Sequence, residues 1–185
     1  AAKKLKVNKF IHFDTDVLIY KPYESLKSCF KENKLNITPA DENRLIFGYS
    51  FIDGIENLSL ICEKVLEVLE NAKHYEDNYY FGNKLNEMVI LNIIYIENPD
   101  LFNLLDTIPK LNNEIIFDGM SYGQYISGVD KKIFSKKYLN KAHYSGRAMV
   151  EKGFRPKYSK KGPYINFEEK QFEIANLHIH KKNLK

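Results

Sequence analysis

Short apolar runs alternate along the chain with longer segments of helical periodicity. Residues 10–14 (FIHFD) are apolar and bulky up to an aspartate, which is typical of a buried parallel strand. Residues 56–72 carry apolar side chains on one helical face and charged ones opposite, and residues 83–98 are apolar nearly all round, so both segments predict helices. This alternation predicts an α/β fold in which helices flank a mixed, mainly parallel sheet.

Two further pairs of apolar runs extend the predicted sheet. Residues 35–38 and 44–52 predict strands, the second with Gly48 at a point where a bulge or a close backbone approach is expected. Residues 163–167 and 171–180 alternate with a period of two across the turn EEK, which predicts a C-terminal antiparallel hairpin.

The composition narrows the classes of partner. The 185 residues suit a single domain, 1–185, and 28 basic against 24 acidic residues give a net charge of only +4. The basic residues are spread out, so we expect no nucleic-acid partner, whereas a phosphate-bearing ligand or an anionic membrane surface is compatible. Cys29 and Cys62 form no CxxC, and neither a signal peptide nor an apolar span is visible. We therefore expect a cytoplasmic protein that associates at most peripherally with the inner face of a membrane.

Asp14 and Asp16 interrupt an otherwise apolar stretch, residues 9–23. Two carboxylates at a strand end can share a hard divalent cation such as Mg²⁺ or Mn²⁺, which in turn binds phosphate oxygens. The alternative is that they mark a turn between two strands. Taken alone, the DxD pattern does not decide between the two.

A second polar cluster lies in residues 176–182 (NLHIHKK). His178 and His180 would share one face of a strand, and Lys181 and Lys182 would supply positive charge for a diphosphate. The alternative is an exposed strand followed by a solvated lysine tail. Combined with the two aspartates, the cluster favours a metal–diphosphate site.

Two other segments carry candidate chemistry. Glu87 lies in a very apolar helical segment, so it is paired, exposed in the first turn, or functional. Residues 116–130 follow a predicted strand with Asp118, Gln124 and Tyr125 among glycines, which suits the hydrogen-bonding and stacking needs of a sugar. An ordinary connecting loop is the alternative for this segment.

Together, these segments resemble bacterial GT-A-type glycosyltransferases of cell-surface polysaccharide assembly, with a layout similar to the glycosyltransferase-8-like arrangement. The matching segments, in order, are FIHFDTDVLIY, NEMVILN, FDGMSYGQYISGVD and NLHIHKKNL. The resemblance implies a partial GT-A fold and the transfer of a sugar from a nucleotide-sugar donor to a saccharide acceptor.

The resemblance also implies roles for individual residues, with Mn²⁺ or Mg²⁺ as the cofactor. Asp14 resembles the aspartate near the ribose and the metal, and Asp16 resembles the one directly on the metal. In residues 176–182, His178 or His180 would supply the third metal ligand. Lys181 or Lys182 would contact the diphosphate.

The remaining roles concern the sugar. Asn86 and Glu87 would lie near the donor sugar and reaction centre, and Asp118, Gln124 and Tyr125 where the transferred sugar or acceptor is held. An inverting reaction would need a carboxylate base, Asp118 or Glu87, whereas a retaining one needs no dedicated base.

Two alternative functions stay open. GT-A enzymes carry a nucleotide-binding half before the DxD, and only 13 residues precede Asp14, so we expect a missing N-terminal half to be needed for catalysis. A non-catalytic binding or scaffold domain, derived from a truncated glycosyltransferase, is the alternative. A phosphohydrolase using Asp14 and Asp16 is less favoured, because Asp118 is the one further acidic ligand that presents itself.

Overall fold

Two four-stranded sheets form the framework of the protein. The computed structural model describes residues 7–79, 84–127, 131–132, 136–137 and 140–179. The strands are β1 (Lys9–Phe13), β2 (Val17–Ile19), β3 (Leu35–Asp41), β4 (Arg44–Asp53), β5 (Phe102–Leu104), β6 (Ile115–Ile116), β7 (Lys131–Lys132), β8 (Lys136–Lys137), β9 (Pro156–Ser159), β10 (Gly162–Phe167), β11 (Lys170–Ile174) and β12 (Asn176–His178). The helices are α1 (Tyr23–Leu26), α2 (Ile55–Glu70), α3 (Ala72–Tyr79), α4 (Glu87–Glu97), α5 (Ser121–Ser127) and α6 (Tyr144–Glu151), with 3₁₀ turns at Lys27–Cys29 and Pro99–Leu101.

The strand order is β1-β4-β3-β5 in the first sheet and β6-β11-β10-β9 in the second, while β12 pairs with β2 and β7 with β8. The mixed α/β class is therefore confirmed. The expectation of a mainly parallel sheet is wrong, because within the described ranges only β3–β5 and β6–β11 pair in parallel. Two-residue turns join β3 to β4 and β10 to β11, and such short connections force neighbouring strands to run antiparallel.

The strand predicted over residues 10–14 differs from the expectation in two ways. β1 pairs antiparallel with β4 and lies at one end of its sheet, and its side chains are half-buried or exposed. An apolar run of this length is equally typical of an edge strand with one packed face, and its periodicity alone does not distinguish the two.

The C-terminal run of alternating residues is divided between two sheets. β10 and β11 pair antiparallel across Glu168 and Glu169, which have φ of 49° and 61°. The second strand, predicted over residues 171–180, ends at Ile174, because Ala175 changes partners: its N–H bonds to the carbonyl of Ile116 and its carbonyl accepts from Tyr20. The chain then continues as β12 against β2.

Three apolar clusters hold the layers together. One packs α2 and α4 onto the first sheet, and burial of Val89 to Ile94 explains why α4 is apolar nearly all round. A second packs α5 and α6 onto the second sheet. A smaller cluster, which includes Val17, Tyr49, Phe117 and Ala175, lies between them. The turn between β1 and β2, which holds Asp14 and Asp16, and strand β12 both lie next to this smaller cluster.

Candidate metal centre

Asp14 and Asp16 lie in the tight turn between β1 and β2. The N–H of Asp14 donates to the carbonyl of Gly48 at 2.9 Å, and the N–H of Val17 donates to the carbonyl of Asp14 at 3.1 Å. The turn leaves Asp14 exposed and Asp16 partly exposed. The two aspartates thus do mark a turn between strands, and the turn also presents both carboxylates to one point.

β12 brings His178 to this turn from the far end of the chain. His178 is paired with Val17 in the antiparallel register, and the N–H of Ile179 donates to the carbonyl of Asp16 at 3.0 Å. The imidazole Nε2 of His178 lies 3.0 Å from Oδ1 of Asp16. One ligand atom from each of Asp14, Asp16 and His178 lies within 4.8 Å of the others.

The donor set fits a divalent cation. Two donors that are each about 2.1 Å from one ion are at most about 4.2 Å apart, so a shift of a few tenths of an ångström in a carboxylate would bring all three onto one ion. Two carboxylates and one imidazole suit Mn²⁺ or Mg²⁺, and an imidazole also suits Zn²⁺. The histidine is buried and the aspartates face outward, so water and phosphate oxygens could complete the coordination.

Gly48 leaves the space in which the carboxylate of Asp14 lies. A Cβ at this position would be 2.8 Å from Oδ2 of Asp14 and 3.1 Å from Cε1 of His178. The close approach expected at Gly48 is therefore present, and the groups that approach are two side chains of the candidate metal centre, Asp14 and His178.

Asp118 lies behind His178 and is 2% exposed. Its carboxylate accepts backbone N–H bonds from Tyr122 at 2.9 Å, Gly123 at 2.7 Å and His178 at 2.9 Å. Burial raises the pKa of Asp118, and the three N–H donors act in the opposite direction. The segment that the sequence predicted as a loop thus contains α5, whose first N–H groups this carboxylate caps.

Asn86 and Glu87 begin α4. Asn86 is the N-cap, and its side-chain oxygen accepts from the N–H of Val89 at 3.2 Å. Glu87 is exposed in the first turn of this helix, which is one of the possibilities that the sequence left open. Partial burial of its carboxylate raises the pKa of Glu87, the charge of Asp14 adds to this, and His12 opposes it. Glu87 is therefore near enough to Asp14 for the two charges to interact.

The other predicted site residues are placed as follows. Gln124 and Tyr125 are half-buried on α5, where Tyr125 packs against the second apolar cluster. His180, Lys181 and Lys182 lie outside the described residues. The structure thus brings together Asp14, Asp16 and His178, while Asp118 accepts from the backbone N–H of His178 and Glu87 is near enough to Asp14 for their charges to interact.

Two residues of the site were not predicted. Asn176 is 1% exposed, and its side-chain oxygen accepts from the N–H of Asp118 at 3.2 Å. The His12 ring packs at a tilt against the Phe47 ring, and its Nδ1 lies 3.1 Å from the carbonyl of Phe47. The signal for both is a polar residue within an apolar strand, which requires a partner when the strand is packed.

Comparison with known proteins found no matching family, no similar curated protein and no similar solved structure. Among the described helices, none has the length and apolar character needed to cross a membrane.

Proposed function

We propose that this chain is the catalytic part of a metal-dependent glycosyltransferase, which moves a sugar from a nucleoside-diphosphate donor to a saccharide acceptor in cell-surface glycan synthesis. The observation that carries the proposal is the convergence of Asp14, Asp16 and His178. These residues lie at opposite ends of the sequence, and the sequence motifs predict Asp14, Asp16 and one of His178 and His180 as ligands.

The cation would neutralise the charge that develops on the diphosphate leaving group. The chain's own contribution is to hold that cation at a fixed place. Asp16 and His178 are tied to each other by the β2–β12 pairing, and Asp14 is tied to β4 through Gly48. This rigid frame would orient a bound diphosphate relative to an acceptor hydroxyl.

Glu87 is our candidate for a base, should the reaction invert. It is exposed and near enough to Asp14 for the two charges to interact, and a raised pKa brings a carboxylate closer to the range in which it can accept a proton at neutral pH. Asn86, Gln124 and Tyr125 remain candidates for contacts with the sugars.

The proposal includes a cytoplasmic location, with the acceptor reached at the inner face of the membrane. Cys29 and Cys62 are both free thiols, which suits a reducing compartment.

The first test is cation-dependent nucleotide binding. Calorimetric titration should show Mn²⁺ binding to the protein, and UDP binding that requires Mn²⁺. Asp16→Asn and His178→Gln should weaken Mn²⁺ binding at least about 10-fold, because each removes a direct ligand. Asp77→Asn is the matched control, since Asp77 is an exposed carboxylate on α3 that pairs with Lys73.

The second test is turnover of a panel of UDP-sugars in the presence of Mn²⁺. Donor hydrolysis that Asp16→Ala abolishes would support the proposal, whereas hydrolysis that survives Asp16→Ala unchanged would contradict it. Manganese-dependent UDP binding without turnover would favour the binding-domain alternative. Release of UMP and sugar 1-phosphate, instead of UDP and free sugar, would favour the phosphohydrolase alternative.

A further inference from the structure

We propose that Asp118 is a positioning residue for the cation site: its buried carboxylate fixes the backbone of His178 and thereby the imidazole that faces Asp16. The inference rests on the proposed cation site and concerns how the third ligand is held there.

The hydrogen bonds of Asp118 converge on His178. One carboxylate oxygen, Oδ2, accepts from the N–H groups of both Gly123 and His178, at 2.7 Å and 2.9 Å. The other oxygen, Oδ1, accepts from the N–H of Tyr122 at 2.9 Å. A single oxygen atom therefore joins the start of α5 to the residue that carries the ligand.

The packing around this oxygen leaves His178 little freedom. A Cβ on Gly123 would lie 2.2 Å from the carbonyl oxygen of His178, so the backbone of α5 rests directly on the backbone of β12. Two residues earlier, buried Asn176 accepts from the N–H of Asp118 at 3.2 Å. On its other side, β12 is paired with β2, which continues from the aspartate turn.

The same hydrogen bonds account for the type of residue at position 118. Three backbone N–H groups aim at one side chain, and a carboxylate is the side chain that accepts from all of them on two oxygens. An amide has one acceptor atom, so Asp118→Asn sets an NH₂ group against at least one backbone N–H. With its oxygen toward Gly123 and His178, the amide still binds them more weakly than a carboxylate does.

The experiment measures how His178 binds the ion. Pulsed electron paramagnetic resonance of the Mn²⁺-loaded protein detects the ¹⁴N nuclei of coordinated imidazole, and His178→Gln supplies the reference spectrum without that ligand. Asp118→Asn should weaken Mn²⁺ binding about 10-fold, the lower end of what outer-shell partners of metal ligands contribute, and should reduce the ¹⁴N modulation.

Tyr122→Phe is the matched control. Tyr122 lies on α5, and its hydroxyl donates a buried hydrogen bond to the carbonyl of Thr107 at 2.6 Å. The substitution removes this bond and leaves the hydrogen bonds of Asp118 intact. This variant should lose stability and retain both the affinity for Mn²⁺ and the ¹⁴N modulation. All variants are compared at a temperature at which circular dichroism shows them to be folded.

The outcomes separate this inference from the proposed function. Wild-type affinity and wild-type ¹⁴N modulation in Asp118→Asn would overturn the inference while leaving the cation site intact. Failure of the wild-type protein to bind Mn²⁺ would overturn the proposed function instead. In that case, or if Asp118→Asn does not fold, a second measurement on the wild-type protein decides: the scalar coupling between the His178 amide nitrogen and the Asp118 carboxyl carbon across their hydrogen bond. If this coupling is absent, Asp118 does not hold the backbone of His178 and the inference is overturned.

Discussion

Gly48→Ala is the substitution that most directly tests whether β4 shapes the metal centre. The new methyl group would lie 2.8 Å from Oδ2 of Asp14, 3.1 Å from Cε1 of His178 and 3.4 Å from Cγ2 of Ile46. The first distance is shorter than a normal carbon–oxygen contact by about half an ångström. The carboxylate of Asp14 must therefore turn away from its present position.

The same geometry predicts that the fold tolerates the change. The contacted atoms are the ends of side chains, and Gly48 is not among the glycines with positive φ, so alanine fits the backbone there. Loss of backbone freedom in the unfolded chain stabilises such variants by about 0.4–1 kcal/mol, which offsets the crowding. Affinity for the cation should fall about 10- to 100-fold, because a displaced ligand needs work to return.

Two assays on the same samples separate these effects. Urea unfolding should give a free energy within about 1 kcal/mol of the wild-type value, while Mn²⁺ titration shows the weakened binding. Ile52→Val, which trims a buried side chain elsewhere on β4, is the control and should show reduced stability with unchanged affinity. Unaltered Mn²⁺ affinity in a folded Gly48→Ala protein would refute the reasoning.

Three further predictions concern stability. Asn36→Ala should cost about 3 kcal/mol in urea unfolding, because the buried Asn36 amide accepts from Lys31 and Asn103 and its two N–H groups are shared among three carbonyls, and each of these groups loses that bond. Tyr49→Phe should leave stability unchanged or raise it by up to about 1 kcal/mol, since the buried Tyr49 hydroxyl has no hydrogen-bond partner among the described residues. Glu42→Gln should flatten the loss of stability on acidification, because Arg147 lowers the pKa of Glu42.

The sign of the last effect follows from linkage. A carboxyl group whose pKa is lowered by folding contributes stability above its unfolded pKa, about 4.3 for glutamate, and loses it as the pH falls through the folded value. The wild-type protein should therefore lose more stability than Glu42→Gln between about pH 5 and pH 3. The pair is partly exposed, so the difference is small, and equal pH profiles would show that the ion pair does not contribute.

For the other two predictions, the contrary results are equally plain. A neutral Asn36→Ala would mean that its hydrogen bonds exchange freely with water, and a marked destabilisation by Tyr49→Phe would mean that the hydroxyl is paired.

The sequence predicted the helices and strands whose residues follow one clear hydrophobic periodicity. The two-faced helix expected at 56–72 is observed at Ile55–Glu70, and the strand expected at 44–52 at Arg44–Asp53. By contrast, β5 directly follows the 3₁₀ turn at Pro99–Leu101, and its three residues gain strand geometry by pairing with β3. Such long-range pairing has no local signal.

The candidate site shows the same division. Residue type and spacing predict the two aspartates, with His178 or His180, as ligands. The sequence also predicts a functional role for Asp118, but the surroundings of this residue depend on α5. The glycines at positions 119 and 123 favour a loop there, so the sequence did not predict this helix. Both glycines are needed for close packing: a Cβ on Gly119 would meet the carbonyl oxygen of Pro39 at 2.7 Å. A glycine that permits contact and a glycine that permits a loop look alike in sequence.

The pairing of β2 with β12 has a consequence for how the protein is made and opened. Asp14 and Asp16 leave the ribosome long before His178, so a nascent chain holds two of the candidate ligands and acquires the third only when β12 docks. An ion that binds the completed set then favours the docked state, by about 2.7 kcal/mol when its free concentration is 100 times the dissociation constant. Fraying of β12 would release the ion before the rest of the molecule unfolds, and hydrogen exchange in β2 would slow as the ion concentration rises.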